Sequence, residues 1–131
     1  MSVETALRLR LRNQPGELAR VAEQLGTAGI NIRAIAGVAS GDDSRLEFLV
    51  DNAAEAARAW RDAGTNFEEV QVALAWLPHT PGTLARASKA LADAGINIES
   101  TYVAGTEGDR AEVAFGCADP QRADQLLGGL A

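Results

Sequence analysis

The sequence predicts an α+β protein built from two copies of one βαββαβ module, and three observations carry this prediction. Two sequence blocks recur at a common offset of 66 residues. Within each copy, apolar residues alternate in the strands and recur with a helical period between them. Glycines stand at the turns where the pattern changes. We expect a first module over 1–69 and a second over 70–131, packed as one unit, with the helices on one face of each antiparallel sheet.

The internal repeat consists of two blocks in one register. The first block surrounds a Pro-Gly pair, and its copies read Asn13-Gln14-Pro15-Gly16-Glu17-Leu18 and His79-Thr80-Pro81-Gly82-Thr83-Leu84. The second block has copies that read Gly29-Ile30-Asn31-Ile32 and Gly95-Ile96-Asn97-Ile98. Because the two blocks share one offset without a gap, coincidence explains them poorly, and we interpret the chain as a duplicated module.

The first half of the first module is predicted to contain a strand, a helix and a hairpin. Leucine alternates with arginine over 7–12, which is typical of a half-exposed strand. Pro15-Gly16 is expected to open the helix, since proline suits the first helical turn, and Gly29 is expected at its C-terminal cap. Residues 31–39 and 46–50 have the composition of two strands with a glycine turn between them.

A second helix and a short strand complete the first module. Asp51-Asn52 is predicted to cap a helix over 53–63, and Gly64 is predicted to stop it. A strand over 67–70 then runs directly into the next strand over 72–77, with no linker between the modules.

The second module is predicted to follow the same order. A helix over 81–94, strands over 97–104 and 111–117, and a helix opened by Asp119-Pro120 are expected, without a full last strand. This order fits a ferredoxin-like sheet with both helices on one face.

Charge and composition limit the partners. The formal net charge of the 131-residue chain is −6, which disfavours nucleic acids and anionic membranes as partners. Residues 1–65 carry eight arginines and nine acidic residues, whereas 66–131 carry four basic and nine acidic residues. No apolar run approaches the roughly 18 residues of a membrane helix, and the N-terminal segment has no signal-peptide pattern. We therefore expect a cytoplasmic protein without a membrane partner.

The Pro-Gly turns are the candidate ligand sites. A helix N-terminus presents unpaired N–H groups and a partial positive charge, which suit a carboxylate. Gly16 and Gly82 lack a Cβ and would let a ligand approach the backbone. Asn13 and His79 precede the turns and can reach a polar group. A free amino acid also needs an acceptor for its ammonium group, which asparagine and backbone carbonyls supply.

Together the two blocks resemble the ACT domain, the module that regulates enzymes of amino-acid metabolism by binding their end products. The resemblance covers about 3–128. It implies that the residue before Pro-Gly and the asparagine of the Asn-Ile pair contact the effector across a module interface. A further contact often lies two residues upstream of the first of these, where this chain has Leu11 and Leu77. The predicted ligand-binding residues are Asn13, Gln14, Pro15, Gly16, Glu17, Leu18, Asn31, Ile32, His79, Thr80, Pro81, Gly82, Thr83, Leu84, Asn97 and Ile98.

Several of these features also have structural interpretations. Asn31 and Asn97 could satisfy backbone groups at the strand entries. The arginine row at 8, 10 and 12 is interpreted as a solvated face that pairs with Glu47 or other acids. Trp60 is predicted in the core or an interface, and Cys117 as a small buried apolar residue. We expect no metal site and no cofactor.

The leading hypothesis is a non-catalytic regulatory protein that binds a free amino acid. The alternatives are a regulatory subunit of an amino-acid biosynthetic enzyme such as acetolactate synthase, and a dimerisation module whose ligand sites have decayed. A metabolic enzyme is thus a possible partner. The strand over 72–77 is apolar on both faces, with Trp76 at the position equivalent to Arg10. Such a strand must be covered on both faces, which predicts a homodimer with Trp76 buried at a contact between modules.

Overall fold

The computed structural model describes residues 2–130. The elements follow the order strand, helix, strand, strand, helix, and this order occurs twice. They are β1 (Ser2–Arg12), α1 (Glu17–Thr27), β2 (Ile32–Ser40), β3 (Asp43–Val50), α2 (Ala53–Asp62), β4 (Glu68–Pro78), α3 (Thr83–Asp93), β5 (Ile98–Glu107), β6 (Arg110–Cys117) and α4 (Pro120–Gly128). The predicted α+β class is confirmed, and the last strand of the first copy continues into the first strand of the second as the single strand β4.

The described chain divides into two compact units. The first unit comprises 5–70, and its strand order is β2-β3-β1 followed by the start of β4. The second unit comprises 2–4 and 71–130, and its order is the start of β1 followed by β4-β6-β5. Within the second unit, residues 2–4 therefore lie beside β4, in the position of a last strand.

The core of the first unit lies between its sheet and the helices α1 and α2. Trp60 is fully buried, its Nε1 donates to the carbonyl oxygen of Val21 at 3.1 Å, and its ring meets that of Phe48 edge-on at 5.3 Å between centroids. The leucines of β1 at 7, 9 and 11 are buried in the same cluster. Trp60 is thus a core residue, as predicted.

The core of the second unit has an equivalent composition around Leu77, Leu91 and Phe115. Val72 and Leu74 occupy the alternate positions of β4 and are also buried within the single chain. A second chain is therefore not required to cover them. Trp76, by contrast, is only partly buried.

The helix starts differ from the sequence expectation in one respect. Pro15 was expected in the first turn of a helix, but α1 begins at Glu17, and Pro15 lies before the N-cap residue Gly16. The reason is the left-handed conformation of Gly16, with φ 90° and ψ −11°, which cannot belong to a right-handed helix. The expected capping is confirmed at α2, where the Asn52 side chain accepts from the backbone N–H of Glu55.

Candidate functional site

The turn between β1 and α1 leaves a helix N-terminus uncapped. Gly16 is the N-cap residue and supplies no side chain, and the first intrahelical bond runs from the Arg20 N–H to the Gly16 carbonyl oxygen at 3.0 Å. The N–H groups of Leu18 and Ala19 precede this bond and have no acceptor within the helix. An anion would be stabilised here by both the N–H groups and the helix dipole.

An open groove of about 400 Å³ lies beside this turn, within the range of small-molecule sites. Its apolar lining comes from β1, α1 and the β2–β3 hairpin, namely Leu11, Leu18, Ile35, Val38 and Leu46. Its polar lining includes Arg12, Asn13, Gln14, Glu17 and Ser44. The structure thus brings four of the predicted residues, at 13, 14, 17 and 18, to one groove, while Pro15 and Gly16 shape the turn without lining it.

Asn13 joins the turn to the β2–β3 hairpin. Its backbone N–H donates to the Asp42 carbonyl oxygen at 2.8 Å, and its Nδ2 donates to the Gly41 carbonyl oxygen at 2.9 Å. The side-chain amide therefore holds the hairpin against the turn. Its Oδ1 makes no hydrogen bond within the described chain and remains an acceptor at the groove.

Glu17 places a carboxylate on the groove wall. Its Oε2 lies 3.3 Å from Nε of Arg20, and 20% of its side chain is exposed. This ion pair is at the surface and contributes little to stability. Its position matters more, because the carboxylate is an acceptor for a ligand's ammonium group beside an N-terminus that accepts a ligand's carboxylate.

Asn31 and Ile32, at the start of β2, do not line this groove. The Asn31 N–H donates to Oδ1 of Asp51 at 3.1 Å, and its carbonyl oxygen accepts from the Asp51 N–H at 3.0 Å. The nine residues of β2 separate Asn31 from the hairpin turn, a distance of roughly 30 Å. The structure therefore does not bring Asn13 and Asn31 together within one unit.

The equivalent turn of the second unit carries a different charge. Gly82 is again a left-handed N-cap residue, with φ 89°. Thr83 occupies the position of Glu17, and its Oγ1 lies 3.0 Å from Oγ1 of Thr80 and accepts from Nη2 of Arg86 at 3.2 Å. Because a hydroxyl replaces the carboxylate, the Arg86 guanidinium is not neutralised at this turn.

The other predicted residues of the second unit lie at the turn and at the start of β5. The exposed His79 donates its backbone N–H to the Asp109 carbonyl oxygen at 2.7 Å, as Asn13 does to Asp42. Pro81 precedes Gly82, and Leu84 lies in the first turn of α3 with 53% of its surface exposed. Asn97 is exposed just before β5, whose first residue, Ile98, pairs with Cys117.

The groove residues on the hairpin were not predicted from the sequence. Ile35, Val38, Ser44 and Leu46 line the groove but lie outside both repeated blocks. The sequence held one indication of them. Ile35 and Val38 are both apolar but an odd number of positions apart in one strand, so they point to opposite faces of the sheet and cannot both face the core.

Cys117, at the end of β6, is not an activated thiol. Partial burial is the main cause that raises the pKa of the Cys117 thiol above its ordinary value, and the charges of Asp119 and Glu99 act in the same direction. Its thiolate population at neutral pH is therefore small, which makes it a poor nucleophile.

Residues 2–130 contain no cluster of three or more His, Cys, Asp or Glu side chains that could hold a metal ion. Over the same part of the chain, no helix has both the length and the apolar character needed to span a membrane.

The fold and the turn define a βαββαβ module with an open helix N-terminus beside a groove. Residues 72–125 match the family model of the ACT domain. This match confirms the resemblance to the ACT domain over these residues. No curated protein matches the chain in sequence.

The chain is similar to solved structures over nearly its whole length. Protein BT0572 from Bacteroides thetaiotaomicron is 25% identical, with a TM-score of 0.86, over 97% of this chain and 88% of its own. The ligand-free regulatory subunit of aspartate kinase from Thermus thermophilus is 23% identical, with a TM-score of 0.69, over 98% and 95%. The corresponding subunit from Thermus flavus is 20% identical, with a TM-score of 0.62, over 99% and 97%. These likenesses confirm the ACT-type ferredoxin-like fold.

Proposed function

We propose that this protein is a non-catalytic regulator that binds a free amino acid at the Pro-Gly turn of the first unit. The observation that carries the proposal is the groove of about 400 Å³ beside an uncapped helix N-terminus. The ACT-domain match in the second half of the chain supports the same class of function.

The groove offers a complement for each part of an amino acid. The N–H groups at the start of α1 suit the carboxylate, since no side chain of the protein occupies them. The Glu17 carboxylate and the Asn13 Oδ1 suit the ammonium group. The leucines at 11, 18 and 46 line the remaining space, which favours an apolar side chain on the ligand.

A thermal-shift screen of the twenty amino acids tests this proposal. An effector at a hundred times its Kd should stabilise the protein by about 2.7 kcal/mol, because it binds only the folded state. For a chain of this size, that corresponds to a rise in Tm on the order of 10 °C. We expect the responding amino acid to be branched-chain or otherwise apolar.

Two matched variants locate the binding. Glu17→Gln removes the ammonium acceptor and should weaken binding about tenfold, whereas Glu23→Gln changes an exposed carboxylate on the same helix and should leave the affinity unchanged. If no amino acid shifts the melting transition and calorimetry also detects no heat, the sensor proposal is wrong, and the dimerisation module with decayed sites becomes the better account.

We also propose that the protein acts as a homodimer. Large apolar side chains are exposed at the groove rim, with exposed fractions of 49% for Leu18, 43% for Ile35 and 69% for Val38. In the second unit, Leu84 and Val103 are exposed by 53% and 57%. Exposed large apolar side chains at the rim favour association, and a second chain over the rim would close the groove from water.

Sedimentation of the wild type and two variants tests the dimer. Val38→Glu places a charge on the exposed rim, and Trp76→Glu places one on the partly buried tryptophan. We expect a wild-type dimer that dissociates in the variant whose residue lies at the interface. A wild-type monomer at tens of micromolar would rule out the dimer, and circular dichroism shows whether each variant remains folded.

The absence of catalysis is part of the proposal. The chain has a single histidine, which is exposed, and a single cysteine, whose pKa is raised. The same effector site would serve a subunit that regulates a metabolic enzyme, and the fold shared with aspartate kinase regulatory subunits supports this second candidate without identifying the enzyme. The cytoplasmic location expected from the sequence belongs to the same proposal.

A further inference from the structure

Two arginines face each other in the sheet of the first unit. In the antiparallel register of β1 and β3, Arg10 lies directly opposite Arg45. Like charges at opposed positions destabilise a sheet. One step along the same two strands, Arg8 lies opposite Glu47, with 2.7 Å between Nη2 and Oε1. The predicted pairing of the arginine row with acids is therefore confirmed for Arg8, but it does not extend to Arg10.

Neither member of this pair is neutralised elsewhere. Over the part of the chain that the structure describes, Arg10 and Arg45 make no ion pair and no side-chain hydrogen bond, and both are exposed. The chain carries 18 acidic residues and a net charge of −6, so carboxylates are not scarce. Two unpaired guanidinium groups are thus held side by side in an otherwise acidic protein.

A cleft of about 500 Å³ opens over this pair. Besides Arg10 and Arg45, its lining includes Asn66, the apolar residues Leu9 and Phe67, and Glu68, whose side chain is 65% exposed. Arg8 also lines the cleft, and its charge is balanced by the Glu47 carboxylate at 2.7 Å and the Glu68 carboxylate at 3.8 Å. The cleft shares no lining residue with the groove at the Pro-Gly turn, and it is a second concave site within the same unit.

The fold does not require these arginines. At the offset of the internal repeat, the second module has Trp76 in the place of Arg10 and Ala111 in the place of Arg45. In the equivalent strand pair of the second unit, Trp76 lies opposite Glu112, so two cations are not opposed there. The same strands therefore form without the cationic pair, which belongs to the first module alone.

We infer that the cleft binds a small molecule bearing a phosphate dianion, either inorganic phosphate or a phosphate monoester. Two guanidinium groups match the two charges and three acceptor oxygens of such a group, and the Asn66 amide adds a neutral donor. A simple carboxylate carries one charge and is satisfied by a single arginine. The dianion would also remove the repulsion between the two arginines.

Calorimetric titration of the whole chain tests this inference, with inorganic phosphate, glycerol 3-phosphate and acetate at constant ionic strength. Phosphate-bearing probes should bind, and acetate should bind at least tenfold more weakly. Arg10→Gln and Arg45→Gln should each weaken phosphate binding about tenfold. Arg58→Gln makes the same change of net charge on α2, outside the cleft, and should leave binding unchanged.

The melting temperature in phosphate-free buffer provides a second measurement. Arg45→Gln should melt at or above the wild-type temperature, since it relieves the opposed charges. Tighter binding of glycerol 3-phosphate would identify a monoester as the ligand, and tighter binding of inorganic phosphate would identify the free anion. The inference is overturned if neither binds at 10 mM, if acetate binds equally well, if Arg58→Gln weakens binding as much as Arg10→Gln, or if Arg45→Gln lowers the melting temperature.

Discussion

Replacing Trp60 by alanine is expected to lower the free energy of unfolding of the first unit by about 3–5 kcal/mol. The side chain is fully buried, and its removal would leave a cavity against the rings of Phe48 and Phe67. It would also remove the hydrogen bond that Trp60 Nε1 donates to the carbonyl oxygen of Val21, on the neighbouring helix. Both losses act on the contact between α1 and α2, so the groove at the start of α1 depends on this residue indirectly.

Urea denaturation followed by circular dichroism measures this effect. Trp60→Phe is the matched control, because it keeps an aromatic ring but removes the indole N–H, and it should cost clearly less than alanine. A loss below about 1 kcal/mol for Trp60→Ala would contradict the assignment of Trp60 to the core. The chain has two compact units. If they unfold in separate transitions, we expect only the transition of the first unit to move to lower urea concentration.

Replacing Gly16 by alanine is expected to have the largest effect on effector binding. Its φ of 90° lies in the left-handed region, and a residue with a Cβ is strained there by about 1–3 kcal/mol. A Cβ at this position would meet no atom within 4 Å, so the effect comes from backbone conformation and not from a clash. Relief of the strain would turn the N–H groups at the start of α1 away from the groove, and binding should fall at least tenfold.

Gly29 provides the matched control for this variant. It lies at the other end of α1 with φ 76°, and a Cβ there would also meet no atom within 4 Å. Gly29→Ala should therefore reduce stability by a similar amount without changing affinity for the amino acid found in the thermal-shift screen. Equal losses of affinity in the two variants would mean that binding follows global stability, and unchanged affinity in Gly16→Ala would place the site elsewhere.

The two Pro-Gly turns have the same backbone but different electrostatics. Gly16 and Gly82 agree within 2° in φ and ψ, so the helix N-termini are presented in the same way. The first turn places Glu17 beside its arginine, whereas the second places Thr83 there and leaves Arg86 without a carboxylate. We therefore propose that effector binding at the first turn is not duplicated unchanged at the second.

Local features of this protein could be predicted from the sequence because their causes lie within a few residues. The repeat set the order of elements, the Asn52 and Asp119 caps set two helix starts, and the alternation of leucine and arginine set the orientation of β1. The residues of the first turn could also be named as a site, since the Pro-Gly pair and the uncapped N-terminus are consecutive in the chain.

Three features depended on contacts between distant segments, and only the tertiary structure decided them. The hydrogen bond from Asn13 to Gly41 spans 28 residues and brings the hairpin to the turn, which creates the groove. Residues 2–4 take the last-strand position of the second unit, although they lie at the opposite end of the sequence from α4. Arg10 lies opposite Arg45 because of the β1–β3 register, and a shift of one residue would have placed it opposite the neutral Ser44 or Leu46. The physical reason is common to all three: strand pairing is set by the fit of whole apolar faces, so the neighbours of a polar residue on the other face are not encoded near it in the chain.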